Sequence, residues 1–189
     1  MRTLRWPMLW LLAAFTVGFT VQVGNADDDK GDKGYTSLFN GKDLTGWRLG
    51  KKKLDGLTQT PNKKWHVTDG AIVIDGGGGG DIYTVEDFNK DYHLKLEFRA
   101  ARKADSGLYL RGRQLQVRDY PRAGPYSKAK FKDDDWNELD ITVKGKTALC
   151  KCNGDVIEKA FKIGASGGIG LQSESGKFEF RKIRLRILE

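Results

Sequence analysis

The chain has 189 residues and a formal charge of +8, with 33 Lys and Arg set against 25 Asp and Glu. That length suits one domain with a core of useful size. The basic residues are interleaved with acids, as in KKWHVTDG and FKDDDWNELD, which argues against a nucleic-acid partner, since such binders concentrate Lys and Arg on one face.

Arg2 and Arg5 precede an apolar run from Trp6 to about Val23, and Gly24-Asn25-Ala26 closes it with small residues. This is the plan of a secretory signal peptide over residues 1–26, with Asp27 as the first mature residue. The run is shorter than the ~20 residues that a spanning helix requires, and no Cys near Ala26 invites lipid attachment. The expectation is an exported chain, periplasmic or extracellular, free of the membrane after cleavage and carrying +6 once Arg2 and Arg5 are gone. Residues 27–34 (DDDKGDKG) read as a flexible linker. Their aspartates lack the bidentate acid that closes a calcium loop, so no metal site is predicted. A domain is expected over residues 35–189.

Strand signals then follow one another, separated by turn signals. The strands expected are Ser37–Phe39, Trp65–Thr68, Ala71–Asp75, Ile82–Thr84, Tyr92–Ala100 and Gly107–Arg111 in the first part of the domain. Gln114–Asp119, Trp136–Lys144, Ala148–Asn153, Val156–Ala160, Gly168–Ser173 and Lys177–Leu188 complete the set. Asp69-Gly70, Asn153-Gly154, Gly145-Lys146 and Ser175-Gly176 are hairpin separators. With no sustained 3.6-residue period beyond the N-terminus, the fold expected is all-β, an antiparallel sandwich.

Local features refine this picture. Gly76–Gly80 leads into a strand and lacks the helix N-terminus of a phosphate loop, so it reads as a mobile connection. Cys150 and Cys152 share one strand face and point too nearly parallel for an easy mutual disulfide, so both are expected as buried free thiols. In the last strand Phe178 and Phe180 are out of phase with Ile183, Leu185 and Ile187. One extra residue near Arg181-Lys182 restores the phase, which predicts a β-bulge there.

The segment Tyr92–Asp119 carries the functional expectation. Tyr92, Leu94, Leu96 and Phe98 alternate with His93, Lys95, Glu97 and Arg99, and Leu108 and Leu110 with Tyr109 and Arg111. Leu115 and Val117 alternate with Gln114, Gln116 and Arg118. A period of two gives each strand an apolar face for the core and a polar face suited to a polar ligand.

SLFNGKDLTGW, WHVTDGAIV, DIYT, LKLEFR, DSGLYLRG, WNELDITVKG, CNGDVIE and GGIGLQSESGKFEFRKIRL occur in that order between Ser37 and Leu185. In this set the chain resembles the 3-keto-disaccharide hydrolase domain family, over essentially all of Tyr35–Leu188. The resemblance implies a concanavalin A-like jelly-roll sandwich and cleavage of glycosides oxidised to a ketone at C3. That ketone acidifies the neighbouring C2–H, a base removes the proton, and the enolate expels the group at C1. Such a site needs a general base near C2 and a donor or cation on the C3 oxygen. The resemblance then suggests Glu97 as base and Arg111 as oxyanion partner, with Tyr109, Gln116, Arg118 and Asp119 binding substrate. An ordinary cross-strand ion pair is the other reading of Glu97. The partner implied is an oxidised di- or oligosaccharide, without a cofactor. Relatives commonly carry Glu-x-Gln where this chain has Gln116-Val117-Arg118. An amide cannot take a proton, so the chemistry either moves to Glu97 or Asp119 or gives way to a non-catalytic carbohydrate-binding module. Trp47, Trp65 and Trp136 offer stacking surfaces, although sandwich tryptophans are more often core. Asn137 and Asn153 are expected at turns and strand ends.

Overall fold

Residues 33–118 and 130–189 are described by the structure, a computed structural model, with Arg118 described by its backbone alone. The segment 1–26 expected to be a signal peptide, most of the segment 27–34 expected to be a linker, Asp119 and much of the following loop lie outside the described residues.

All regular structure among the described residues is strand, and every pairing is antiparallel. One sheet holds β1 (Thr36–Ser37), β4 (Trp65–Thr68), β5 (Ala71–Asp75), β7 (Tyr92–Ala100), β10 (Asn137–Lys144), β11 (Thr147–Cys152), β12 (Asp155–Lys162) and β14 (Lys177–Ile187). Its order is β12-β11-β10-β7-β14-β5-β4, with β1 added along β14. The other sheet holds β2 (Trp47–Leu49), β3 (Lys52–Lys53), β6 (Ile82–Thr84), β8 (Asp105–Leu110), β9 (Arg113–Arg118) and β13 (Ile169–Leu171), in the order β3-β2-β6-β13-β8-β9. This is an antiparallel jelly-roll-type sandwich, as the sequence leads one to expect.

The period-two pattern explains the layers. Leu94, Leu96 and Phe98 of β7 and Phe178, Phe180 and Leu185 of β14 point inward from the eight-stranded sheet. Leu108, Leu110, Leu115, Val117, Ile169 and Leu171 meet them from the six-stranded sheet in a single apolar cluster. Phe178 lies between Phe98 and Phe180, with ring centroids 6.2 and 5.7 Å away. Trp47 and Trp65 are fully buried core residues. Their indole N–H groups are satisfied by the carbonyls of Leu38 and Gly80, at 2.8 and 2.7 Å.

Asp69-Gly70 and Asn153-Gly154 both take positive φ at the two turn positions, as a two-residue hairpin demands. Asn137 is buried and joins Lys132, Asp135 and Asn153 at the start of β10, so both asparagines serve strand ends as expected. The predicted bulge is present. The β14–β7 register slips between Arg181 and Arg184, with Lys182 at φ 50°. Cys150 and Cys152 are free and buried, and burial pushes both thiols up to about 12.

Two expectations change. β2 and β3 are absent from the sequence-based set, because a three-residue and a two-residue strand are too short to display alternation. The run Gly76–Gly80 is also no slack connection. A side-chain Cβ at Gly77 would overlap the Glu174 carbonyl, the amide of Gly79 donates to Ser173 Oγ at 2.9 Å, and Asn62 holds the Gly79 carbonyl at 2.8 Å. Gly77 is required by close approach of two backbones, and Gly76, Gly78 and Gly80 by their positive φ.

Candidate functional site

Outward positions of the six-stranded sheet bring a polar group of side chains together. In the aligned rows Arg48 lies opposite Tyr83, Tyr83 opposite Gly170, and Gly170 opposite Tyr109. Tyr109 in turn faces Gln114, and Gly107 faces Gln116. Their strand neighbours point inward as core, so alternation alone delivers this set to one surface.

The centre is a tyrosine pair. The Tyr83 and Tyr109 rings are 5.3 Å apart between centroids, and the Arg48 guanidinium lies 5.3 Å from the Tyr83 centroid. Gly170 makes this possible, since a Cβ there would overlap the Tyr83 ring. Asp81 sits beside both phenols and accepts the Ser173 amide at 3.0 Å. Burial, the hydrogen bond with Asp81 and that carboxylate's charge all raise the Tyr109 hydroxyl above its ordinary value. Burial likewise raises Tyr83. Both phenols are therefore neutral donors around neutral pH.

Amides line the adjoining surface. Gln114 Nε2 donates to Gln172 Oε1 at 2.8 Å and to Gln116 Oε1 at 3.1 Å. Gln116 Nε2 donates to the buried Asp105 carboxylate and to the Ser106 carbonyl. The result is a pair of aromatic rings beside carboxylates and amides, the mixture that recognises a sugar ring and its hydroxyls. Among the described residues no group of three or more His, Cys, Asp and Glu could hold a metal ion.

The sequence-derived residues divide between places. Tyr109 and Gln116 belong to this surface, and the backbone of Arg118 lies opposite Asp105 at its edge. Asp119 lies outside the described residues. Glu97 and Arg111 were expected to converge, and they do not. Glu97 projects from β7 on the outer face of the eight-stranded sheet, where it accepts from Arg181 Nε at 2.7 Å and meets Lys182 Nζ at 3.2 Å. Burial pushes its carboxyl upward, but the hydrogen bonds from Arg181 and Lys182 outweigh this and hold it below its ordinary value. It is the cross-strand ion pair that the sequence left open.

Arg111 follows β8 in a left-handed conformation (φ 47°) that turns its side chain inward. It is 3% exposed, stacks on Tyr92 at 5.2 Å, and donates to the carbonyls of Lys90 and Gly145. Its guanidinium faces no open surface and is committed to backbone. The residues missed by sequence reasoning are Arg48, Asp81, Tyr83 and Gln172. The signal was there in Asp81-Ile82-Tyr83-Thr84, where Ile82 and Thr84 are inward and Tyr83 must point out.

Comparison with known proteins agrees with this fold. A curated 3-keto-disaccharide hydrolase of Bacteroides thetaiotaomicron is 28% identical over 95 residues, covering 46% of this chain and 30% of that protein's length. A presumed glycosyl hydrolase of Parabacteroides distasonis has a similar structure, with a TM-score of 0.65, 21% identity and coverage of 82% of this chain and 94% of that one. The carbohydrate-binding module CBM66 of Bacillus subtilis superposes with a TM-score of 0.54 at 12% identity, covering 76% and 96%. Residues 34–186 match the 3-keto-alpha-glucoside-1,2-lyase-like domain, and the chain belongs to that family.

Proposed function

We propose that the protein cleaves 3-keto-glycosides, with the sugar held on the outer face of the six-stranded sheet. The supporting observation is that Asp81, Tyr109 and Tyr83 are mutual neighbours on the face carrying the amide cluster. Asp81 acts as the base that takes the C2 proton. Tyr109 donates to Asp81 and holds that carboxylate in place, while the neutral Tyr83 hydroxyl supplies the donor for the negative charge that develops on the C3 oxygen. The enolate then releases the C1 substituent, and water adds to the unsaturated product. Glu97 drops out as the base because two cations hold it in its ionised, weakly basic form.

The test is release of sugar from 3-keto-trehalose or a 3-keto-glucoside by the purified protein. Asp81→Asn should lower kcat by at least about a hundredfold, the usual scale for a positioned base. Gly170→Ala should displace the Tyr83 ring and raise KM. Full turnover by Asp81→Asn, or its loss in Glu97→Gln, would return the chemistry to the other sheet. A second reading, a carbohydrate-binding module, is favoured by Gln114, Gln116 and Gln172, which can bind hydroxyls but cannot take protons. It prevails if glycan binding is measured and turnover is not. Export belongs to the same proposal, and intact mass of the protein from its native host should begin at Asp27.

A further inference from the structure

The outward face of the eight-stranded sheet has a charge pattern that the sequence conceals. β14 presents Lys177, Arg181, Lys182, Arg184 and Arg186 against Glu179. β7 adds Lys95 and Arg99 against Glu97, and β10 adds Lys144 against Glu138 and Asp140. Cations that alternate with core residues along each strand are thus gathered on one surface, and they outnumber the carboxylates.

Their arrangement leaves charge over. Glu97 is shared by Arg181 and Lys182, so that cluster retains one positive charge, whereas Glu179 is shared by Arg99 and Lys177 with the carboxylates of Asp134 and Asp135 close enough to act on Arg99. The bulge turns the consecutive residues Arg181 and Lys182 onto the same carboxylate. The arginines are also held in place by aromatic rings. Trp136 is flanked by Arg181 at 3.8 Å and Arg99 at 5.0 Å, while Tyr35 carries Arg186 at 5.0 Å and Arg184 at 5.9 Å. Arginines stacked in this way lose little freedom when they meet an anion.

We propose that this face binds an acidic polysaccharide, on the side of the sandwich opposite the sugar-cleaving surface. Lys182, Arg184 and Arg186 place positive charge at every second residue of β14, roughly 7 Å apart, a spacing that suits a polymer carrying carboxylate or sulfate at intervals. The interposed Glu97, Glu138 and Asp140 favour such a chain over nucleic acid. They accept hydroxyls between its charges, whereas a continuous phosphate backbone would be repelled.

The probe is polygalacturonate, with neutral dextran and a short DNA duplex alongside, and binding is followed by affinity electrophoresis of the purified protein. Binding to polygalacturonate should weaken as salt rises from about 50 to about 200 mM, while dextran should not bind and DNA should bind at least about tenfold more weakly. Lys182→Glu/Arg186→Glu should bind the polymer at least about tenfold more weakly, and Lys182→Arg/Arg186→Lys should bind it within about threefold of wild type. Asp81→Asn should bind it as wild type does, which separates failure here from failure of the catalytic proposal. Absence of binding, equal binding of DNA or dextran, or unchanged binding by the charge-reversed protein would each overturn the inference.

Discussion

Replacing Arg111 by Met separates a structural role for this residue from a catalytic one. The substitution keeps a long side chain but removes donors from the carbonyls of Lys90 and Gly145, in a site where Arg111 is 3% exposed. Lys90 and Gly145 are exposed, so water can reach their carbonyls, but each hydrogen bond lost from the charged guanidinium still costs about 1.5–3 kcal/mol, and the lost stacking on Tyr92 adds about 1 kcal/mol. Against this, a charge is no longer buried, and that charge has an Nε without a hydrogen-bond partner among the described residues. The balance is a loss of about 2–4 kcal/mol, which lowers Tm by about 5–15 °C for a domain of this size. Thermal unfolding followed by circular dichroism measures the shift. Turnover per folded molecule, assayed well below the new Tm, should fall less than about threefold, far short of the hundredfold or greater loss of an oxyanion partner. A variant with unchanged Tm and turnover reduced a hundredfold would refute the structural assignment and restore Arg111 to the chemistry.

Other outcomes follow from the ion pairs and the thiols. Glu97 and Glu179 are both held below the ordinary carboxylate value of 4.5, because hydrogen bonds from their cationic partners outweigh the upward effect of burial. Depressed folded-state values mean that their stabilisation is present above about pH 4.5 and is lost as pH falls through the lower folded values. Urea unfolding should therefore show stability falling below pH 4.5, with a shallower fall in Glu97→Gln. Cys150 and Cys152, raised to about 12 by burial, should not react with a thiol reagent at pH 8 in the native protein and should react fully in denaturant.

The layers of this fold were legible because alternation on β7, β9, β10 and β14 is long enough to fix which residues face the core. The bulge was legible for the same reason, as a break in a clear period. The candidate site was only half legible. Alternation shows that Glu97 and Tyr109 both point outward, but a sandwich has two outer faces, and nothing local says which one a strand serves. That is decided by long-range pairing, β7 between β10 and β14, and β8 between β13 and β9. Arg111 was misplaced for another reason. The period was carried one residue past Leu110, where the chain turns to positive φ and sends the side chain inward. The positive surface was hidden because interleaving along the chain becomes segregation once every second residue faces the same way.

The glycine stretch before Asp81 has a consequence for how the protein can vary. Its backbone is clamped between Asn62 on one side and Ser173 on the other, and Asp81, at its end, hooks the Ser173 amide. It therefore works as a spacer of fixed length that sets where the Asp81 carboxylate stands relative to the two tyrosines. Adding or removing one glycine, a change that a loose loop would absorb, would here shift the carboxylate by most of a residue's reach. A stretch with no side chains thus sets the position of a charge.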